Sequence, residues 1–168
     1  MFIDLCDWSK RFFLVFYRDI FPLFNDPHLL DDTISLMEKH LNNFGSKVEA
    51  IVGLESRGFL MGPILALKHG VPFIPIRKAG KLPGEVKSIS YQLEYGSDKF
   101  EIQTKSIRKG LNCVVVDDLL ATGGSLKTAT NLIQQCGGNV LGSIVIIELV
   151  DLKGRQQLDS DVLSLVQY

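Results

Sequence analysis

Cysteine is scarce in this 168-residue sequence. Cys6, Cys113 and Cys136 are odd in number and share no paired spacing, which speaks against a disulfide framework. Cys113 opens an apolar stretch and reads as a small core residue, so a reducing, cytoplasmic setting fits best. An excess of one charge is also missing. Eighteen basic residues stand against nineteen acidic ones, and a net charge of −1 excludes a chain that is basic throughout, the usual footprint of a nucleic-acid binder. The three histidines, His28, His40 and His69, lie far apart without ligand spacing and read as surface residues. Long apolar runs are absent too. The run Phe12 to Tyr17 is short, follows Asp4 and Asp7, and lacks the basic start and small-residue cleavage site of a secretory signal. Thr128 to Ile147 is twenty residues without a charge, but Asn131, Gln134, Gln135, Gly137, Gly138 and Asn139 make it a helix, a turn and a strand, not a membrane span. There is no internal repeat and no low-complexity linker. One domain over 1–168 follows, soluble and without a membrane partner.

Apolar residues make up 46% of the chain and charged residues 22%, near the average for globular domains. A chain of this length buries roughly 70% of its unfolded surface, so its core needs neither disulfide nor metal. From about residue 30 the pattern alternates between helix and strand. Leu29, Leu30, Ile34, Met37 and Leu41 recur at helical spacing before Gly45. Ala50 to Leu54 reads as a strand, Gly58 to Lys68 as a helix stopped by Gly70, and Val71 to Ile76 as a second strand. Val86 to Gln103 alternates around Tyr95-Gly96-Ser97-Asp98, which predicts a two-stranded hairpin. Leu111 to Val116 is a third apolar strand, Ser125 to Cys136 a helix, and Val140 to Leu149 a fourth strand. Fully apolar strands joined by helices predict an α/β fold with a mainly parallel sheet covered on both faces. Such a sheet binds ligands beyond the carboxyl ends of its strands.

The most informative segment is Val114-Val115-Val116-Asp117-Asp118-Leu119-Leu120-Ala121-Thr122-Gly123-Gly124-Ser125. An apolar strand meets two adjacent carboxylates, then a loop of Thr, two Gly and Ser, then a helix. Glycines let the backbone curl so that several N–H groups face one anion, Thr122 and Ser125 add hydroxyls, and the helix dipole favours the same charge. A phosphate seat is the natural reading, with Asp117 and Asp118 suited to the hydroxyls of a sugar that carries the phosphate. The spacing is neither Walker A nor G-x-G-x-x-G. A tight strand-to-helix turn with an acidic cap would give a similar pattern.

This segment resembles the 5-phosphoribosyl 1-diphosphate (PRPP) binding motif of the type I phosphoribosyltransferases. Gly53-Leu54-Glu55-Ser56-Arg57-Gly58-Phe59, Ile76-Arg77-Lys78-Ala79-Gly80-Lys81-Leu82-Pro83-Gly84, Leu93-Glu94-Tyr95-Gly96 and Leu152-Lys153-Gly154-Arg155 narrow the likeness to the family's adenine-specific branch. The resemblance runs from about Tyr17 to the last residue. It implies the type I fold, with an N-terminal hood over about 1–30 and a flexible hairpin flap over about 81–104. It also implies transfer of phosphoribose from PRPP to adenine, giving AMP and pyrophosphate in purine salvage, with Mg²⁺ as cofactor and a homodimer as the assembly.

By that resemblance PRPP contacts Asp117, Asp118, Ala121, Thr122, Gly123, Gly124 and Ser125, together with Ser56, Arg57, Arg77, Lys78 and Lys81. Arg57 and Glu94 are the implied catalytic residues, Glu94 as the acid/base for the adenine ring. Adenine lies between Tyr17 and Leu119, with main-chain groups near Phe16 and Arg18 reading its edge. Mg²⁺ is held mainly by PRPP and water, with no protein metal cluster. Physical reasons run beside these assignments. Arg57 sits at the start of a helix, the wrong end for a cation unless an anion is bound there. Arg77, Lys78, Lys81 and Lys87 against Glu85 give +3 within eleven residues, a density suited to pyrophosphate or to an ordinary solvated loop. One stretch departs from the family pattern. Where relatives carry Phe-Pro-x-Phe-Pro-x-x-Gly, this chain has Trp8-Ser9-Lys10-Arg11-Phe12-Phe13-Leu14-Val15, lacking those prolines and that glycine. A second reading therefore stays open, a non-catalytic PRPP-binding or interaction protein whose base pocket has degraded.

Overall fold

A computed structural model of the chain describes residues 19–93 and 96–168. Its contacts divide the chain into a segment up to Thr33 and a body from Ile34 to Tyr168. A 3-10 turn over Phe21–Asn25 lies in the first segment and is followed by α1 (Pro27–Leu41), which runs on into the body. Asp26 caps that helix, its Oδ1 accepting from the N–H groups of His28 at 3.0 Å and Leu29 at 3.1 Å. Pro27 opens α1, a position where no N–H is required.

The body is built on one seven-stranded sheet in the order β3-β4-β2-β1-β5-β6-β7. The strands are β1 (Ala50–Leu54), β2 (Phe73–Lys78), β3 (Val86–Leu93), β4 (Gly96–Gln103), β5 (Asn112–Leu120), β6 (Asn139–Glu148) and β7 (Asp161–Gln167). Five of them, β2-β1-β5-β6-β7, are parallel. Helix α2 (Gly58–His69) packs on β1, β2 and β5, and α3 (Gly124–Gln135) on β3 to β6. Strand periodicity sorts the two faces. Ala50, Val52, Leu54, Cys113 and Val115 share one core cluster with Leu126, Ala129, Leu132 and Ile133 of α3. Gly53 faces the other way, toward Phe73 and the start of α2. β1 is buried along its whole length, as a strand covered on both faces must be.

The predicted α/β sheet is present, with four differences. The hairpin is not separate from it: β4 pairs antiparallel with β2, Arg77 opposite Glu101 and Lys78 opposite Phe100, so the sheet is mixed. Gly96, Ser97 and Asp98 belong to β4, because Leu93 pairs directly with Gly96. β5 does not stop at Val116. It carries on through both aspartates, with Asp117 opposite Val145 and Leu120 opposite Glu148. The seventh strand, β7, has no counterpart among the predicted elements. His28 is exposed, while His40 and His69 are half-buried.

Candidate active site

Two loops meet at the carboxyl ends of the central strands. The first follows β1. Gly58 opens α2 so close to β5 that a Cβ there would lie 2.5 Å from the Val116 carbonyl oxygen, a contact only glycine permits. This fit brings the Glu55-Ser56-Arg57 turn, which contains a cis Glu55–Ser56 peptide, beside the end of β5. Arg57 Nε lies 2.9 Å from Asp118 Oδ2. Asp118 is 2% exposed, and its Oδ2 has no aligned hydrogen bond among the described residues. Burial raises the carboxyl pKa of both Asp117 and Asp118. For Asp117 the adjoining Asp118 carboxylate adds to the rise, whereas for Asp118 the Arg57 guanidinium opposes it.

The second loop follows β5. Gly123 takes φ +87°, a left-handed conformation that a side chain would strain, and it delivers the chain into α3 at Gly124. Arg57, Asp117, Asp118, Leu119 and residues 120–126 line a cavity of about 170 Å³. A neighbouring cavity of about 360 Å³ is lined by Leu54, Glu55, Ser56, Arg57, Lys78, Phe100, Asp117, Asp118 and Ser125. The two share Arg57, Asp117, Asp118 and Ser125, so the arginine–aspartate pair stands where they meet.

Sequence reasoning passed over Glu55. Its carboxylate accepts from Arg77 Nη2 at 3.0 Å, Arg77 Nε at 3.2 Å, Lys81 Nζ at 2.8 Å and the Lys78 N–H at 3.1 Å. These hydrogen bonds, led by that from Arg77, hold its pKa down at about 2. Its position as an acid just before Ser-Arg, facing a basic stretch in another strand, was the available signal. Arg77 and Lys81 thus turn to Glu55, while Lys78 lines the second cavity. Lys87 goes elsewhere, donating to the Gln135 carbonyl at the end of α3, where a cation suits the helix dipole. Phe16, Tyr17, Arg18 and Glu94 lie outside the described residues.

The site can be tested against Mg²⁺. No group of three or more His, Cys, Asp or Glu that could hold a metal occurs among the described residues. Asp117 and Asp118 supply hard oxygen donors, one of them an oxygen without a hydrogen bond, but two carboxylates fall short of an octahedral shell. The donor set therefore fits a cation whose remaining ligands come from a phosphorylated substrate and water.

A profile of the phosphoribosyl transferase domain matches residues 23–165. The chain is 51% identical over 154 residues to an adenine phosphoribosyltransferase of Drosophila pseudoobscura pseudoobscura, covering 92% of this chain and 85% of that one. Its structure is similar to a crystal structure of the Saccharomyces cerevisiae adenine phosphoribosyltransferase complexed with an imino-altritol bisphosphate and adenine. The TM-score is 0.86 at 49% identity, covering 88% of this chain and 85% of that one. The Trypanosoma brucei enzyme in complex with AMP, pyrophosphate and ribose-5-phosphate aligns with TM-score 0.81 at 28% identity, over 89% of this chain and 68% of that one. With an aspartate pair within β5, a glycine loop leading into a helix and a sequence half identical to such an enzyme over nearly its whole length, this chain belongs to the adenine phosphoribosyltransferase family.

Proposed function

We propose that the chain transfers the 5-phosphoribosyl group of PRPP to adenine, giving AMP and pyrophosphate. The observation that carries this reading is the pair of cavities meeting at Arg57, Asp117 and Asp118. The smaller has the Ala121–Ser125 loop and the start of α3 for a sugar phosphate, where backbone N–H groups, the hydroxyls of Thr122 and Ser125 and the helix dipole favour an anion. The larger has Ser56, Arg57 and Lys78 for the diphosphate. Ribose then lies between them. Asp117 and Asp118, which line both cavities, accept hydrogen bonds from its hydroxyls.

Arg57 stabilises charge on the departing pyrophosphate. Charge neutralisation there is also what Mg²⁺ supplies when bound; the chain would hold it mainly through PRPP and water, with Asp117 and Asp118 as the carboxylates on offer. Leu119, half-buried in the first cavity, takes one face of adenine, and Tyr17 the other, with Phe16 and Arg18 at its edge. Glu94 exchanges the proton of the ring as its acid/base. Much of the rate comes from aligning C1 of the ribose with the ring nitrogen, where effective molarities of ~10⁵ M and more are available. The ligands named for the yeast and trypanosome structures support this arrangement.

The same reading makes the chain one catalytic domain with the hood and flap described above. It also makes it a homodimer, supported by Ile64 and Leu67, exposed on an α2 that is apolar on most sides. A cytoplasmic setting is supported by the unpaired thiols of Cys113 and Cys136. No described helix is long and apolar enough to cross a membrane. Adenine-dependent release of pyrophosphate from PRPP by the purified chain with Mg²⁺ tests the proposal. Release only when adenine is present supports it, and no release under saturating substrates refutes it.

A further inference from the structure

The chain beyond β6 lines neither cavity, yet one of its turns presses on the loop that closes the first. Lys153 joins two short 3-10 turns, Val150–Leu152 and Gly154–Gln157, the second of which opens with Gly154 and Arg155. Gly154 is buried, and a Cβ there would lie 2.1 Å from the Ala121 carbonyl oxygen and 2.9 Å from the Gly123 nitrogen. The fit is reciprocal. A Cβ on Gly123 would lie 2.5 Å from the Gly154 oxygen and 3.3 Å from Gln157 Cβ. Two glycines stand back to back, and the loop rests on the main chain of the turn, with Leu120 Cδ1 also within 2.9 Å of a Cβ placed on Gly154.

The turn is itself held in a conformation it would not choose. Lys153 has φ +52°, a region that residues with a side chain avoid unless their surroundings fix them. Arg155 does the fixing. Its Nε donates to Glu148 Oε1 at 3.0 Å, its Nη2 to Glu148 Oε2 at 2.5 Å, and its Nη1 to the Val162 carbonyl. Glu148 ends β6, is 4% exposed, and also accepts from Ser164 Oγ at 2.6 Å and Gln167 Nε2 at 3.1 Å on β7. Next to it, the Leu149 N–H donates to the Leu120 carbonyl, where β5 gives way to the loop. The clamp thus bears on the loop at Leu120, Ala121 and Gly123.

We propose that Gly154 and Arg155 are positioning residues for the sugar phosphate: the Glu148–Arg155 clamp sets the turn, and the turn sets the curvature that brings the N–H groups of residues 121–124 onto one phosphate. The proposal rests on the PRPP reading of the site. It separates the two anions, because the turn packs on Ala121 and Gly123, whereas Ser56, Arg57 and Lys78 of the diphosphate cavity stand on other elements.

The test is calorimetric binding of ribose 5-phosphate and of pyrophosphate, each alone, to the wild-type chain and to Gly154→Ala and Arg155→Lys. Thermal unfolding of each is recorded in parallel. Gly154→Ala forces the loop outward, and Arg155→Lys keeps the charge while losing the planar fork, so it remains useful if the first variant fails to fold. Ribose 5-phosphate should bind about tenfold or more weakly in both, given how steeply positioning errors cost function, with pyrophosphate affinity held within about twofold. In steady state KM for PRPP should rise while KM for adenine stays. Unchanged ribose 5-phosphate affinity in a folded variant would overturn the proposal, as would an equal loss for both ligands, which marks general destabilisation. A wild-type chain that does not bind ribose 5-phosphate would overturn the PRPP reading itself, and the proposal with it.

Discussion

Replacing Glu55 by Gln should weaken the fold, and by an amount that depends on pH in a set direction. The Glu55 side chain is 12% exposed and gathers Arg77, Lys81 and the Lys78 N–H, so its carboxyl pKa stands near 2 against an ordinary 4.5. That gap corresponds to roughly 3 kcal/mol favouring the ionised native form. Lys81 is 47% and Arg77 33% exposed. Water shares their charge, which reduces the expected effect to about 1–2 kcal/mol. Because the native pKa is depressed, the contribution is complete above the unfolded value of about 4.5 and is lost as pH falls toward 2, with about two-fifths remaining at pH 3. Urea unfolding of both proteins at pH 7 and pH 3 reads this. The variant should be about 1–2 kcal/mol less stable at pH 7, a fall of about 3–6 °C in Tm, and the difference should shrink by more than half at pH 3. Equal stabilities at pH 7, or a difference that does not change between the two pH values, would refute the reasoning.

Three further outcomes follow from the site and its supports. Asp118→Ala removes the buried partner of Arg57 and should weaken ribose 5-phosphate binding about tenfold or more in a calorimetric titration; undiminished affinity would displace the sugar from these carboxylates. Glu94→Gln should lower kcat by ~10²-fold while PRPP still binds, and unchanged turnover would remove Glu94 from the chemistry. Gly58→Ala sets a methyl group against the Val116 carbonyl and should cost about 1–3 kcal/mol in denaturant unfolding, together with weaker pyrophosphate binding as the Ser56-Arg57 turn shifts.

Elements whose residues repeat one environment could be read from the sequence. β1 throughout and β6 from residue 142 onward are buried, and their largely apolar runs announce it. α2 ends where Gly70 takes φ +75°, the left-handed cap that a glycine after a helix predicts. The extension of β5 through Asp117 and Asp118 was hidden because two carboxylates look like a strand end. Here they lie within β5, Asp117 opposite Val145 of β6, and both line the cavities. β7 was hidden for a different reason: an exposed, polar lead-in precedes it and most of its residues are only half-buried, so no clean apolar period marks it. The glycine loop over 121–125 and Arg57 stood out locally in the sequence, and both line the first cavity. Glu55 and Gly154 did not stand out, because their meaning lies in contacts to Arg77 and Lys81 on one side and to Ala121 and Gly123 on the other. Those partners are distant in sequence and are joined only when β1 pairs with β2 and when β6 pairs with β5.

The central claim is adenine-specific phosphoribosyl transfer at the meeting point of the two cavities. The most direct measurement is a single reaction containing PRPP, Mg²⁺ and equal concentrations of adenine, hypoxanthine and guanine, with the nucleotide products separated and identified by mass. AMP as the dominant product, formed in step with pyrophosphate, is the predicted result. IMP or GMP in comparable amount would contradict the base assignment. No nucleotide at all, from a folded chain that still binds ribose 5-phosphate, would contradict catalysis and leave a PRPP-binding protein in its place.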